Sequence, residues 1–180
     1  MIRYWPWVSR VVLVVSLILM AFVLRRYEFE RLDERAGVGM EGRLRPNAFL
    51  ILRPVDEESP LAVGSLVEAR VRVPDSLRTH MNTQEGLILS RIAASAGQTL
   101  SFAERPNDLL EVLIDGIRTF AYLPRDPSRG SLARGPLTEG PIPDDHFLLL
   151  NPNLEADSWD SRRLGLIPRK SLSRRILTYF

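Results

Sequence analysis

An uncharged apolar run near the amino terminus constrains this chain more than any other feature. It extends from Val11 to Leu24, between Arg10 and the pair Arg25–Arg26. A helix needs about 20 residues to cross a bilayer, and residues 4–24 supply such a length with Arg10 as the only charge. An arginine that close to the end can extend its side chain to the membrane surface. We therefore predict a transmembrane anchor in residues 1–26 that contacts the lipid bilayer through residues 4–24.

A cleaved secretory signal is the competing interpretation, because it also has a short basic start and an apolar core. No small-x-small cleavage site follows Leu24, where two arginines come instead, so we favour an uncleaved anchor. The number of arginines is slightly higher after the run than before it, which favours a cytoplasmic carboxyl side. These are Arg3 and Arg10 before the run, and Arg25, Arg26 and Arg31 after it.

The rest of the chain is predicted to be mainly β, because short apolar segments alternate with turn residues. Residues 64–71 alternate with a period of two, as a half-buried strand does. Asp115-Gly116 separates two apolar segments and is a strong signal for a hairpin. The predicted strands are residues 47–53, 64–71, 86–93, 109–114, 117–123 and 147–150.

The pattern divides the chain into three parts. The anchor at 1–26 is followed by a charged segment at 27–36, which we expect to be a stalk of helical or irregular structure. A β domain is expected at 37–180. Within it, a hairpin and loop insertion is predicted at about 101–145, because residues 124–143 are rich in proline, glycine and arginine.

The composition argues against several functional classes. The chain has no cysteine, which excludes disulfides and thiolate metal sites. Its net charge is only +2 and the basic residues are interspersed with acids, so a nucleic-acid partner is not indicated. We predict neither a metal nor a cofactor. Of the 24 basic residues only Lys170 is a lysine, which limits the general bases that the chain can offer.

The segment from Ser158 to Pro168, with the sequence S-W-D-S-R-R-L-G-L-I-P, carries the most specific motif. By itself it fits equally a surface loop with a local salt bridge and a buried strand end held by an ion pair. However, S-x-D-S-R-x-x-G-x-x-P resembles the last signature block of the type I signal peptidases. Those are membrane-anchored Ser/Lys proteases that remove export signals.

Three earlier segments resemble other blocks of that family, in the family's order. Residues 37–44 resemble S-x-S-M-x-P-T-L, residues 64–71 resemble G-D-I-V-x-F, and residues 90–98 resemble K-R-V-x-x-x-x-G-D. The resemblance implies a folded antiparallel β half-barrel with one amino-terminal transmembrane helix and a hydrophobic face on the membrane. It also implies a bacterial inner-membrane protein with a periplasmic domain, the reverse of the orientation that the arginine count favours.

This alignment leaves no catalytic residue of the family intact. Gly39 stands at the position of the nucleophilic serine, and Ser90 at that of the general-base lysine. Gly37 replaces a serine that helps hold the oxyanion, and Ser158 matches the residue that orients the lysine. The family's mechanism needs a serine hydroxyl and a desolvated lysine that takes its proton. A glycine supplies no nucleophile, and an alcohol has no useful basicity near neutral pH.

Other side chains do not replace the missing pair. Arg91 cannot act as a base, because a guanidinium does not deprotonate in proteins. By the family pattern Lys170 lies away from the site, and His80 and His146 do not occupy the base position. Ser90 beside Ser158 would be a relocated nucleophile without a base. A misaligned first block does not help either, because residues 31–58 contain no serine.

The remaining family positions predict a binding site and its frame. The backbone at Gly37, Val38, Gly39 and Met40 is expected to take an extended peptide by strand addition. We predict a structural charge cluster of Arg91, Asp160 and Arg162, with an ion pair between the last two. A hydrogen bond between Ser158 and Ser90 would replace the one that the lysine makes.

These observations lead to three hypotheses. The first is an anchored, inactive signal peptidase homologue that binds exported or pilin-type peptides, or serves as a component of a conjugative or type IV secretion or pilus-assembly apparatus. The sequence S-W-D-S-R is nearest to the conjugative-transfer branch, whose members process pilin. The second is an active peptidase that cleaves exported precursors after small residues with a non-standard nucleophile. The third is an inner-membrane structural protein with an incidental resemblance.

Overall fold

A computed structural model describes residues 6–32, 47–72, 85–125, 137–152 and 160–180 of the chain. In these residues one long amino-terminal helix leads into two antiparallel sheets, which confirms the predicted mainly β fold. The strands are β1 Glu28–Arg31, β2 Phe49–Pro54, β3 Leu66–Arg72, β4 Glu85–Ser95, β5 Thr99–Arg105, β6 Leu109–Ile114, β7 Ile117–Pro124, β8 Gly140–Pro141, β9 His146–Leu150, β10 Ile167–Pro168 and β11 Leu172–Tyr179. The helices are α1 Pro6–Arg26, α2 Ser161–Leu164 and a 3-10 turn at Arg169–Ser171.

Helix α1 has the dimensions of a membrane span. Its 21 residues rise by about 32 Å at 1.5 Å per residue, and the hydrocarbon core of a bilayer is about 30 Å thick. The segment Trp7–Arg26 has a mean hydropathy of 2.5, and none of it is buried against the rest of the chain. An apolar helix without protein around it is suited to lipid, as the sequence predicts.

The main sheet has seven strands in the order β1-β2-β11-β3-β4-β9-β10, and the second sheet has four in the order β7-β6-β5-β8. The last strand of the chain, β11, therefore lies between two early strands. Leu148 and Leu150 of β9 belong to one buried cluster with Leu100, Val112 and Leu123 of the second sheet. This shared core places the second sheet beside the β9 region of the main sheet.

The hairpin at Asp115-Gly116 forms as predicted. Ile114 of β6 lies opposite Ile117 of β7, so the loop has two residues. Asp115 has a φ of 52° and Gly116 a φ of 78°. Two successive positive φ angles are the geometry of a type I′ turn, whose twist matches that of the strands.

The predicted stalk at residues 27–36 is wrong in its first part. Residues Glu28–Arg31 form strand β1, which pairs antiparallel with β2 at the edge of the main sheet. The charges of this segment suggested a solvated linker, but Glu28 and Glu30 both bind Arg174 of β11. The sheet therefore begins two residues after the last residue of α1.

Candidate functional site

Position 90, which the sequence alignment matches with the family's general base, lies inside the main sheet. Ser90 is on β4 opposite Val67 of β3, and its side chain is completely buried. Its Oγ atom has no hydrogen-bond partner among the described residues. Ile88 and Ile92 lie on the same face of the strand and are also buried. The position is shielded from water, as a lysine base would require, but it holds a hydroxyl.

Asp160 forms the predicted ion pair with Arg162, and both side chains are buried. The carboxylate accepts hydrogen bonds from Nε of Arg162 at 3.0 Å and from Nη2 at 2.7 Å. It also accepts the backbone N–H of Arg162 at 2.9 Å, so it is the N-cap of helix α2. A charge this deep is tolerated because an opposite charge and several donors surround it.

Asp160 and Ser161 also close the open edge of β9. Strand β10 pairs with β9 at Phe147 and His146, and within the described residues no strand lies on that side of the following part of β9. The Ser161 Oγ accepts the N–H of Leu149 at 2.8 Å, and an Asp160 oxygen accepts the N–H of Asn151 at 3.0 Å. These side chains take the place of a strand, which satisfies buried amides that would otherwise be costly.

Arg91 follows Ser90 and lies opposite Leu150 of β9. It lines a cleft of about 340 Å³ together with Asn151, Phe120 and mostly apolar residues. The structure therefore brings Arg91 near the carboxyl end of β9, where Asp160 binds. Its place in a charge cluster with Asp160 and Arg162 stays a prediction.

Several positions of the predicted site lie outside the described residues. They include the predicted peptide-binding segment, the lysine-orienting serine and one of the two histidines: Gly37, Val38, Gly39, Met40, Ser158 and His80. The hydrogen bond expected between Ser158 and Ser90 thus stays a prediction.

The one lysine of the chain lies in a different cleft. Lys170 is exposed on the 3-10 turn and lines an open cleft of about 840 Å³ with Asp144, Asp145 and His146. The imidazole Nδ1 of His146 is 2.9 Å from the Asp144 carbonyl oxygen. Among the described residues, no group of three or more His, Asp or Glu side chains is placed to hold a metal ion.

Ser59, the first serine after the Gly37–Met40 segment, has a structural role in a turn. Its Oγ donates a hydrogen bond to Asp56 Oδ1 at 2.5 Å and accepts the Asp56 N–H at 3.1 Å. The hydrogen bond from Ser59 lowers the pKa of the Asp56 carboxyl below its ordinary value. A hydroxyl that is committed to this turn is not a candidate nucleophile.

The mainly β fold and the buried Asp160–Arg162 pair at the end of β9 agree with the family that the chain matches. A profile of the family described as "Signal peptidase, peptidase S26" matches residues 7–180, nearly the whole chain. The chain belongs to the signal peptidase family. A search of curated proteins found no match. Together with helix α1, the family indicates a membrane-anchored, signal peptidase-like protein, and signal peptidases act on exported precursors.

Two features of the site in this signal peptidase homologue were not foreseen from the sequence. Ser161 binds a backbone amide of β9, although its position in the motif S-x-D-S-R was a signal that could have been used. Asn151 is buried with its Oδ1 unpartnered among the described residues. Nothing in the sequence N-P-N indicates that burial.

Proposed function

We propose that this protein is a catalytically inactive member of the signal peptidase family that acts by binding. The observation that supports this most is the complete burial of Ser90 on β4, a residue that the sequence alignment matches with the family's general base. In the family's mechanism a neutral amine at this position takes the proton from the nucleophile. A buried hydroxyl cannot do so, because it is not basic near neutral pH.

The other basic side chains that we considered do not take the place of a lysine at position 90. Arg91 is the next residue on β4, but a guanidinium stays protonated. Lys170 is exposed in a cleft that Ser90 does not line. His146 lines that same cleft. The absence of a nucleophile at Gly39, which rests on the sequence alignment, agrees with the absence of a base.

The binding role is supported by the frame that the chain has kept. Asp160, Ser161 and Arg162 still seal the end of β9 and anchor α2. The partner that we propose is an exported or pilin-type peptide, bound in extended form at residues 37–40 by strand addition. The motif S-W-D-S-R favours a role in a conjugative or type IV secretion apparatus, with the domain on the periplasmic side of the inner membrane.

The test uses the full chain, purified and placed in lipid nanodiscs, with a fluorescent pilin-precursor peptide. Fluorescence anisotropy measures binding, and mass spectrometry of the same samples measures cleavage. We expect saturable binding without any product. Ser90→Ala and Ser158→Ala variants serve as controls, because a product that disappears in either variant would contradict the proposal. Absence of binding to all exported-type peptides would contradict the binding role.

A further inference from the structure

Four charged side chains meet in the main sheet close to the point where the chain leaves α1. Arg174 of β11 is at their centre, and its Nη1 lies 2.9 Å from Glu28 and 2.5 Å from Glu30 of β1. Its Nε donates to Glu68 of β3 at 2.9 Å. One guanidinium thus connects the edge strand β1 with β3, although two strands separate them in the sheet.

The two sides of this cluster differ in exposure. The Glu68 side chain is only 8% exposed, and it also accepts a hydrogen bond from the Ser173 hydroxyl at 2.5 Å. The side chains of Glu28 and Glu30 are 51% and 47% exposed. The hydrogen bonds that Arg174 donates to Glu68 first, and then to the other two glutamates, raise the pKa of its guanidinium. The Arg174–Glu68 pair is therefore largely buried. The pairs of Arg174 with Glu28 and Glu30 are partly exposed to solvent and bind β1 to β11.

Strand β1 is the only segment in the described residues that directly continues α1. Tyr27 alone separates the two elements, and its N–H still donates to the Val23 carbonyl at 2.9 Å, as in a helix. Strand β1 has four residues, and in the part of the chain that the structure describes it pairs with β2 alone. The contacts with Arg174 therefore add to the ladder with β2 in holding this strand in the sheet.

We infer that Arg174 is a clamp that joins the membrane helix and the β domain into one rigid unit. The clamp holds β1, and β1 holds the end of α1. Strand β4, which carries position 90, lies four steps from β1 in the same sheet, or about 19 Å at about 4.8 Å per step. The clamp therefore fixes the distance between the membrane helix and the candidate site. This holds whether the site binds or cleaves peptides, so it does not depend on the proposed function.

The test removes only the outer half of the clamp. A Glu28→Gln/Glu30→Gln variant loses both carboxylates of β1 but keeps the buried Arg174–Glu68 pair. The chain contains no cysteine, so spin labels on introduced cysteines report only the chosen positions. One pair of labels measures the distance between Val15 on α1 and Arg70 on β3. A control pair measures the distance between Arg70 and Thr178 on β11. All three positions are exposed. The samples are the full chain in lipid nanodiscs.

We expect the Val15–Arg70 distance distribution to become at least twofold wider in the variant, with the Arg70–Thr178 distribution unchanged. Amide exchange at residues 28–32 should become about 2- to 30-fold faster, the range expected for the loss of two partly exposed ion pairs. A Glu104→Gln variant, which removes an exposed charge in the second sheet, should change neither. Equal widths and exchange rates in variant and parent would overturn the inference. Broadening of both label pairs would also overturn it, because the sheet itself would then have loosened.

Discussion

The Asp160→Ala substitution tests the frame of the site most severely. In the native chain Asp160 is fully buried, and Arg162 beside it is only 6% exposed at its side chain. Removal of the carboxylate takes the ion pair with Asp160 away from the buried guanidinium of Arg162. It also leaves the N–H of Asn151 and the N–H of Arg162 without their acceptor. Loss of one partner of a buried ion pair typically costs about 3–5 kcal/mol.

A change of that size is easily measured by thermal unfolding. For domains of this size about 1 kcal/mol shifts Tm by about 2–4 °C, so the expected loss is about 6–20 °C. Circular dichroism of the full chain in detergent micelles measures it. Since α1 stays helical in micelles, the β signal is the one to follow.

A matched control separates burial from charge. Glu104 pairs with Arg125 at 2.9 Å, but the two side chains are 70% and 59% exposed. Glu104→Ala should therefore cost at most about 1 kcal/mol. A double variant, Asp160→Ala with Arg162→Leu, should recover part of the loss, because neither charge of this pair is then left buried alone. If Asp160→Ala lowers Tm no more than Glu104→Ala does, the argument for a buried frame is refuted.

Three further predictions concern other parts of the fold. Ser161→Ala should lower the free energy of unfolding by about 1–3 kcal/mol in chemical denaturation, because a buried amide of β9 loses its acceptor; an unchanged midpoint would contradict that. Hydrogen bonds from Arg118, and then from Arg105, lower the pKa of Glu111, so this carboxylate stabilises the fold above the ordinary carboxyl pKa and stops doing so as pH falls through the lowered value. The Tm should thus decline below about pH 4.3, and the decline should be smaller in Glu111→Gln; equal pH profiles would refute the assignment. Gly116→Ala should cost about 1–2 kcal/mol, since nothing lies within 4 Å of the added Cβ and only the positive φ opposes it; a neutral result by thermal unfolding would exclude the type I′ turn.

The sequence predicted the elements whose structure depends on residues close together in the chain. The apolar run became α1 because its composition alone makes a helix suited to lipid. The Asp115-Gly116 pair became a type I′ turn because its φ angles suit no other two-residue loop as well. The ion pair of Asp160 with Arg162 was predictable because the partners are two residues apart and belong to one motif.

Strand β1 could not be predicted in the same way. Its sequence, E-F-E-R, is charged and has one apolar residue, which is typical of an exposed linker. The partner that holds its glutamates, Arg174, is 146 residues away from Glu28 in the chain. The burial of Glu68 has the same cause, since its partner is on β11. Pairings over such separations depend on the strand order of the sheet and leave no local signal.

The candidate site likewise contains features that the sequence predicted and features that it did not. The motif around Asp160 fitted a surface loop and a buried strand end equally, and the bond between Ser161 and Leu149 was not predicted from it. For Ser90 the alignment supplied the family position, and the structure supplied the burial. The alignment of Gly39 with the nucleophile position concerns residues outside those that the structure describes, and it stays a prediction.

The most direct test of the central claim is single-turnover cleavage by the native chain. The full chain in nanodiscs, in large excess over a pilin-type precursor, is incubated from pH 7 to pH 10, and mass spectrometry follows the product. An active signal peptidase under the same conditions shows that the precursor is cleavable. We predict no product above the rate without protein at any pH. Product that forms with the native chain and is lost in Ser90→Ala or Ser158→Ala would contradict the account.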